Sequence, residues 1–254
     1  MPTYPEFAGR VVAITGAAQG IGAVTAHDFA KEHACVALLD IDAAAAHSVA
    51  AEITAAGGRA LSIRTDVTDD ASVAAAIAAT VAAFGGLDVL VNCAGGYGRL
   101  ATIEDMELEE WDRTVALNLR SVFLTSRAAI PHLKRSKAGR VINVASISGR
   151  TVHASSSPAY GAAKAGVIQF TRFLAYQLGP DGITANAIAP MTTLTPRVAA
   201  LRTKEDVERI AAQVPLRRLG ASEDHANAML FLASDAASYI NGVVLDVNGG
   251  RIMM

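Results

Sequence analysis

Aromatic residues, cysteines and net charge are all scarce in this chain. Aromatics make up 5% of the 254 residues and hydrophobic residues 52%. A core must therefore be filled by Ala, Val, Ile and Leu, a composition suited to buried parallel strands and closely packed helices. The two cysteines, Cys35 and Cys93, stand apart with no ligand cluster beside either, which argues against a disulfide or a metal site. They read as buried thiols in a reducing cytoplasm. A net charge of -2 offers no electrostatic basis for binding nucleic acid or an anionic membrane. No apolar run approaches the ~20 residues of a membrane span, and the opening Met-Pro-Thr-Tyr-Pro-Glu lacks the basic and apolar regions of a signal peptide. The expectation is a cytoplasmic protein that handles a small molecule.

Strand-like and helix-like segments alternate along the whole chain, with no linker or repeat. The strands are expected at Val11 to Thr15, Cys35 to Asp40, Ala60 to Thr65, Val89 to Asn92, Val141 to Ala145, Ala185 to Ile188 and Val243 to Val247. Alanine-rich helical stretches such as Ala43 to Ala56 and Ala71 to Phe84 separate them. Such alternation predicts an α/β fold over residues 1–254, a single doubly wound parallel sheet with helices on both faces. Residues 191–218 are the least regular, interrupted by Pro196 and Pro215, and read as a long irregular lid over substrate.

Two motifs carry chemistry. Tyr160 and Lys164 are four residues apart and so share one helix face, and Ser146 lies 14 residues upstream of Tyr160. A phenol alone titrates near pH 10. An ammonium beside it is expected to favour the phenolate, so that Tyr160 can exchange a proton with an alcohol or carbonyl oxygen. Such pairs also arise by chance on amphipathic helices, so the second motif matters. Arg10 to Thr15 reads as a buried strand, followed by a turn holding Gly16, Gly20 and Gly22, then by a helix over Ala23 to Ala34. Strand, glycine turn and helix is the setting in which backbone N–H groups receive a dinucleotide pyrophosphate. The next strand ends in Asp40, 18 residues beyond Gly22, where a carboxylate can accept both hydroxyls of an adenosine ribose.

With these motifs the chain resembles the short-chain dehydrogenase/reductase family over about residues 8 to 250, and within it the 3-oxoacyl-carrier-protein reductase-like group. Thr15, Gly16, Gly20 and Gly22 match the family's cofactor turn, Asp66-Val67 its adenine contact, and Asn92-Cys93-Ala94-Gly95 its Asn-Asn-Ala-Gly segment. Pro190 to Thr195 matches the loop that clasps the nicotinamide end, and Asn118, Ser146, Tyr160 and Lys164 match the catalytic tetrad. The resemblance implies that Gly16, Gln19, Gly20, Ile21, Gly22, Asp40, Ile41, Asp66, Val67, Asn92, Cys93, Ala94, Gly95, Pro190, Thr193 and Thr195 hold the cofactor, together with Tyr160 and Lys164. It implies that Tyr160 is the general acid/base and that Ser146 binds the reacting oxygen. Lys164 lowers the phenol pKa and binds the nicotinamide ribose, while Asn118 anchors a water leading to Lys164. A non-catalytic NAD-binding protein would require a lost tetrad member, and all four are present.

Two departures stand out: Cys93 replaces an Asn, and Met191 replaces the Gly that usually follows Pro190. The strand end Asp40-Ile41-Asp42 disfavours a 2′-phosphate, so NAD is the expected cofactor. The expected reaction is NAD-dependent interconversion of a secondary alcohol and a ketone. The alternative is an NADPH-dependent 3-oxoacyl-carrier-protein reductase. Against it, Asp181 stands where such enzymes carry a docking Arg, leaving Lys137 as the nearby basic residue. Arg99, Arg150 and His153 can bind an anionic substrate group or can equally be solvated loop charges, with His153 taken as the substrate contact beside Ser146 and Tyr160. The apolar circumference of Tyr160 to Leu178 and the apolar tail predict a homotetramer, as the family commonly forms.

Overall fold

A computed structural model of the chain describes residues 3–152 and 156–253. Seven strands are present: β1 Val11–Thr15, β2 Cys35–Asp40, β3 Arg59–Arg64, β4 Val89–Asn92, β5 Arg140–Val144, β6 Thr184–Pro190 and β7 Val244–Val247. All pair in parallel in the order β3-β2-β1-β4-β5-β6-β7. The helices that cover the sheet are α1 Gly20–Lys31, α2 Ala43–Ala55, α3 Asp70–Phe84, α4 Leu108–Val115, α5 Ser121–Leu133 and α6 Pro158–Leu178. Three more follow: α7 Pro196–Leu201, α8 Lys204–Ala211 and α9 Ser222–Ala233.

The strand sequences explain the layering. Residues of β1, β2, β4 and β5 alternate between two apolar cores, as pleated strands buried on both sides must. Val12, Ile14, Val36, Leu38, Val91 and Ile142 pack against α1, α2 and α9. Val11, Ala13, Ala37, Leu39, Leu90 and Val141 pack against α3, α5 and α6. The result is one α/β unit with helices on both faces of a Rossmann-type sheet, as the alternation predicts.

Chain order along the sheet reverses between β1 and β4, whose ends Thr15 and Asn92 are register partners. In such sheets the crevice at this switch point, beyond the carboxyl ends of the strands, is where ligands sit. Thr15 keeps the crevice open at a fixed width: its Oγ1 accepts hydrogen bonds at 3.1 Å from the N–H groups of Cys93 and Ala94.

Residues 191–218 differ from the expectation of an irregular insert. They contain α7 and α8, with Thr195 and Thr203 capping the two helices through hydrogen bonds from Val198 N–H and Asp206 N–H. Pro196 does not interrupt a helix but begins one, since its missing N–H belongs to the unpaired first turn. Met191 is buried in a small apolar cluster with Ile147, Ile210, Val214 and Leu219 that ties α8 to the body. Its side chain therefore anchors the segment as well as bordering the cleft.

Candidate active site

Two adjoining depressions open at the carboxyl ends of the strands. The first is a groove of about 350 Å³ lined by Gly16, Gln19, Gly20, Ile21, Gly22, Asp40, Ile41, Asp66, Val67, Cys93, Ala94, Gly95 and Thr195, among others. The second is a cleft of about 220 Å³ that shares Ile21, Cys93, Gly95 and Thr195 with it and continues to Ser146, Tyr160, Lys164, Pro190 and Thr193. Nearly all the residues expected to hold a cofactor thus line one continuous surface.

The groove fits a dinucleotide on its own chemistry. Gly16 has φ +67, and a Cβ there would lie 2.8 Å from the Ala94 Cα, so the turn needs glycine to lie against β4's exit. The N-cap of α1, Gln19, makes no side-chain capping bond. The N–H groups of Gly20, Ile21 and Gly22 accordingly have no acceptor among the described residues, and a pyrophosphate supplies what they lack. Asp40 is held in place by the N–H groups of Ala18 at 2.9 Å and Asp42 at 3.0 Å, one on each oxygen, which leaves lone pairs for a ribose diol. Arg64, exposed on β3 and in register with Asp40, is absent from the groove lining. Asp66 accepts from the N–H and hydroxyl of Thr68, and these bonds lower its pKa and keep it ionised. Across the groove, a Cβ on Gly20 would lie 3.2 Å from Thr195 Cγ2, so the loop after β6 closes onto the glycine turn.

Asn92 is the exception among the expected contacts. It does not line the groove; its side chain bonds Asn143 at 2.9 Å and Thr125 at 2.6 Å, and Asn143 continues to Thr171 at 2.9 Å. This buried chain of amides and hydroxyls ties β4 and β5 to α5 and α6 beneath the site. The side chain is spent on that network, which leaves only backbone to offer a ligand.

Each tetrad residue is placed by a local feature. Ser157 caps α6 through a 3.3 Å bond from Tyr160 N–H, with Pro158 opening the helix, so Tyr160 occupies its first turn. Ser146 ends β5 and caps the short turn Ile147–Gly149, its Oγ accepting from Ser148 N–H at 3.1 Å. A Cβ on Gly149 would lie 2.6 Å from the backbone carbonyl carbon of Lys164, so only glycine lets this turn press against α6. The Ser146 hydroxyl lines the same cleft as the Tyr160 phenol and lies near enough to lower its pKa. Lys164 is buried, donates to the Val144 carbonyl at 2.7 Å and stands 5.7 Å from the centre of the Tyr160 ring.

Asn118 lies in a π-turn, Ala116–Arg120, between α4 and α5, where Ser121 N–H reaches back five residues to the Ala116 carbonyl. Its Nδ2 donates to the carbonyls of Gly96 and Thr114, both at 2.9 Å, and its Oδ1 accepts from Gly96 N–H at 3.0 Å. The side chain therefore pins the loop after β4. For the expected water-anchoring role only one lone pair of Oδ1 remains on it.

The electrostatics correct one expectation. Burial pushes the Tyr160 phenol up to about 12; the nearby Ser146 hydroxyl opposes this, and Tyr97 and Cys93 add to the rise. Lys164 does not bring the phenol toward neutrality in the protein itself, because loss of hydration outweighs other effects at this depth. Burial also lowers Lys164 to about 8 and raises the Cys93 thiol to about 12. Tyr160 is thus held as a neutral hydrogen-bond donor.

Tyr97, His225 and Arg202 have no sequence motif to announce them, whereas Thr193 belongs to the loop expected to clasp the cofactor. Tyr97 meets Tyr160 edge to face at 6.2 Å. Thr193 donates to the Met191 carbonyl at 3.0 Å and sits 2.7 Å from Nε2 of the buried His225, 32 residues away. Arg202 lines the outer wall. Of the three expected anion binders, Arg150 is bound to Asp246 at 3.0 Å and to the Val244 carbonyl at 2.6 Å, and Arg99 is exposed and outside the cleft. His153 lies outside the described residues. No group of three His, Cys, Asp or Glu side chains suited to a metal ion occurs among the described residues.

Comparison with known proteins agrees with this geometry. A family model described as Enoyl-(Acyl carrier protein) reductase matches residues 16–251. The chain is 44% identical over 245 residues to cis-4-hydroxycyclohexanecarboxylate dehydrogenase of Sinomonas cyclohexanicum, covering 96% of this chain and 97% of that one. It is 35% identical over 244 residues to 7alpha-hydroxysteroid dehydrogenase of Escherichia coli K12, covering 96% and 94%. A dehydrogenase/reductase from Sinorhizobium meliloti 1021 superposes with a TM-score of 0.91 at 36% identity, covering 97% of this chain and 96% of that one.

Proposed function

The chain belongs to the short-chain dehydrogenase/reductase family of NAD(P)-dependent oxidoreductases, and on that premise we propose that it is an NAD-dependent dehydrogenase interconverting a secondary alcohol and its ketone. The observation that carries this reading is the meeting of Tyr160, Ser146 and Lys164 at one end of a cleft continuous with the glycine-turn groove. When bound, the nicotinamide supplies the hydride exchange. Tyr160 gives its proton to the carbonyl oxygen in reduction and takes one from the alcohol in oxidation. Ser146, which lines the cleft beside that phenol, holds the same oxygen. Lys164 presents a buried positive charge next to the phenol and a donor for ribose hydroxyls. Asn118 keeps the loop carrying Tyr97 in register with this group.

NAD is favoured over NADP by Asp40, whose fixed carboxylate accepts from a ribose diol and repels a 2′-phosphate. The proposed cofactor contacts are the groove residues together with Pro190, Thr193 and Thr195, and residues 191–218 are proposed to close over substrate. The carrier-protein reductase alternative is disfavoured where its docking charge would lie: Asp181 is acidic and pairs with Lys134 at 2.8 Å. A cyclic secondary alcohol is the favoured substrate class, because the relatives at 43–44% identity are named for alcohols on six-membered rings. A homotetramer is supported by the aromatic side chains of Phe123 on α5 and of Phe173 and Tyr176 on α6, exposed at 43%, 55% and 84%. A cytoplasmic site of action is consistent with the described helices, none of which is long and apolar enough to cross a membrane. The test is steady-state turnover of a panel of cyclic alcohols with NAD and NADP, against acetoacetyl-thioester with NADPH. Faster turnover of the thioester with NADPH than of every alcohol with NAD overturns the assignment.

A further inference from the structure

Among the described residues that line the cleft, only Lys164 and Arg202 are basic and none is acidic. Lys164 faces Tyr160 and the Val144 carbonyl at the reacting end. Arg202 stands on the outer wall at the C-cap of α7, half-buried, beside Val198 and Thr192. It donates no hydrogen bond and forms no ion pair with any described residue. Other arginines of this region are engaged: Arg150 on Asp246, Arg209 on Asp206 at 2.6 Å, and Arg218 on both oxygens of Asp224. Asp206, which feels the Arg202 charge without pairing with it, is held by Arg209.

A half-buried guanidinium without a counter-ion has lost part of its hydration and gained no partner. Its planar fork of donors matches a carboxylate through two parallel bonds, and the surrounding wall is apolar enough to strengthen them. We propose that Arg202 receives a carboxylate carried by the substrate, so that the enzyme acts on a hydroxy acid and its oxo acid in preference to neutral alcohols. The proposal rests on the reading above that the cleft holds the reacting alcohol. Because Arg202 joins α7 to α8, engaging the carboxylate also draws the two-helix segment toward the cleft.

Wild type, Arg202→Gln and Arg202→Lys are compared on a cyclic hydroxy acid and its methyl ester with NAD. The proposal expects the ratio of kcat/KM for acid over ester to favour the acid in wild type. Arg202→Gln should lower that ratio by ~30-fold or more through KM for the acid, and Arg202→Lys should restore part of it. An equal loss on acid and ester overturns the proposal. So does a loss confined to KM for NAD, which would assign Arg202 to the cofactor's pyrophosphate. Cyclohexanecarboxylate, which has no alcohol to oxidise, separates this proposal from the hydride-transfer reading. Calorimetry should show it binding to wild type with NADH and not to Arg202→Gln, whether or not any alcohol turns over. Equal binding to both proteins, or to neither, contradicts the role given to Arg202.

Discussion

Asn118 holds Gly96 from both sides, accepting from its N–H at 3.0 Å and donating to its carbonyl at 2.9 Å. The residues are 22 apart in sequence, and the pair fixes the loop that brings Tyr97 against Tyr160. The second amide hydrogen goes to the Thr114 carbonyl, which the π-turn has released from ordinary helical bonding.

Asn118→Ala therefore leaves three backbone groups without this partner, the Thr114 carbonyl buried and the two groups of Gly96 part-buried. It should cost about 2–3 kcal/mol of stability and lower kcat by ~10-fold or more as Tyr97 and the loop lose their register. Asn118→Asp should be worse, because a carboxylate would face two carbonyl oxygens. Urea midpoints and steady-state rates for both variants check this, and an Asp variant as stable as the Ala variant would contradict it.

Lys164, proposed above to act in the reaction, burdens the fold. Its folded pKa, about 8, lies below the reference value of 10.5, so the buried ammonium is penalised wherever it stays charged. Between those pH values the unfolded chain binds more protons, and the wild type's stability rises with pH. Lys164→Met, which keeps the length of the side chain, should abolish turnover yet raise Tm by about 2–8 °C at pH 7. The gain should shrink toward pH 10. A variant less stable than wild type at pH 7 would refute this reading.

His225 makes the opposite end of the cleft sensitive to acid. Thr193 donates to the Met191 carbonyl, so it accepts from Nε2–H of His225, while Nδ1 is buried without a partner. Burial lowers the imidazole pKa from 6.5 to about 4. Its contribution to stability is complete above pH ~6.5 and is lost as pH falls toward 4, where the unfolded chain takes up a proton the folded one refuses. Thermal melts from pH 7.5 to 4.5 should show a shallower loss for His225→Leu than for wild type; parallel curves would count against it.

Asp40 is the residue proposed to set the cofactor preference. Asp40→Asn keeps the size and one acceptor but removes the charge, so the ratio of kcat/KM for NAD over NADP should fall by ~10²-fold. An unchanged ratio would mean that Arg64 or the turn itself makes the choice.

What could be read in the sequence was what is local. Strands β1, β2 and β4 were bounded correctly because apolar runs buried on both faces have no other home. The glycine turn and Asp40 are visible from spacing, and Ser146, Tyr160 and Lys164 from spacing joined to the family resemblance. The two helices in residues 191–218 escape the pattern because Pro196 reads as a breaker, although Thr195 before it and Thr203 further on are ordinary capping residues. Other features depend on the assembled fold. The π-turn exists because Asn118 captures Thr114 and Gly96. Asn92 looked like a ligand contact until Asn143 and Thr125 came beside it. Arg202 and His225, the partner of Thr193, have no motif, and the rise in the Tyr160 pKa comes from burial that no spacing encodes.

The account's central claim is that Tyr160 exchanges the proton of an alcohol oxidised in this cleft. Tyr160→Phe keeps the ring, its packing on Tyr97 and the groove, and removes only the hydroxyl. Turnover of the best alcohol with NAD should fall by at least ~10²-fold, while the dissociation constant for NADH, read by fluorescence titration, should stay close to that of wild type. Near wild-type turnover in Tyr160→Phe would contradict the mechanism, whatever the fold.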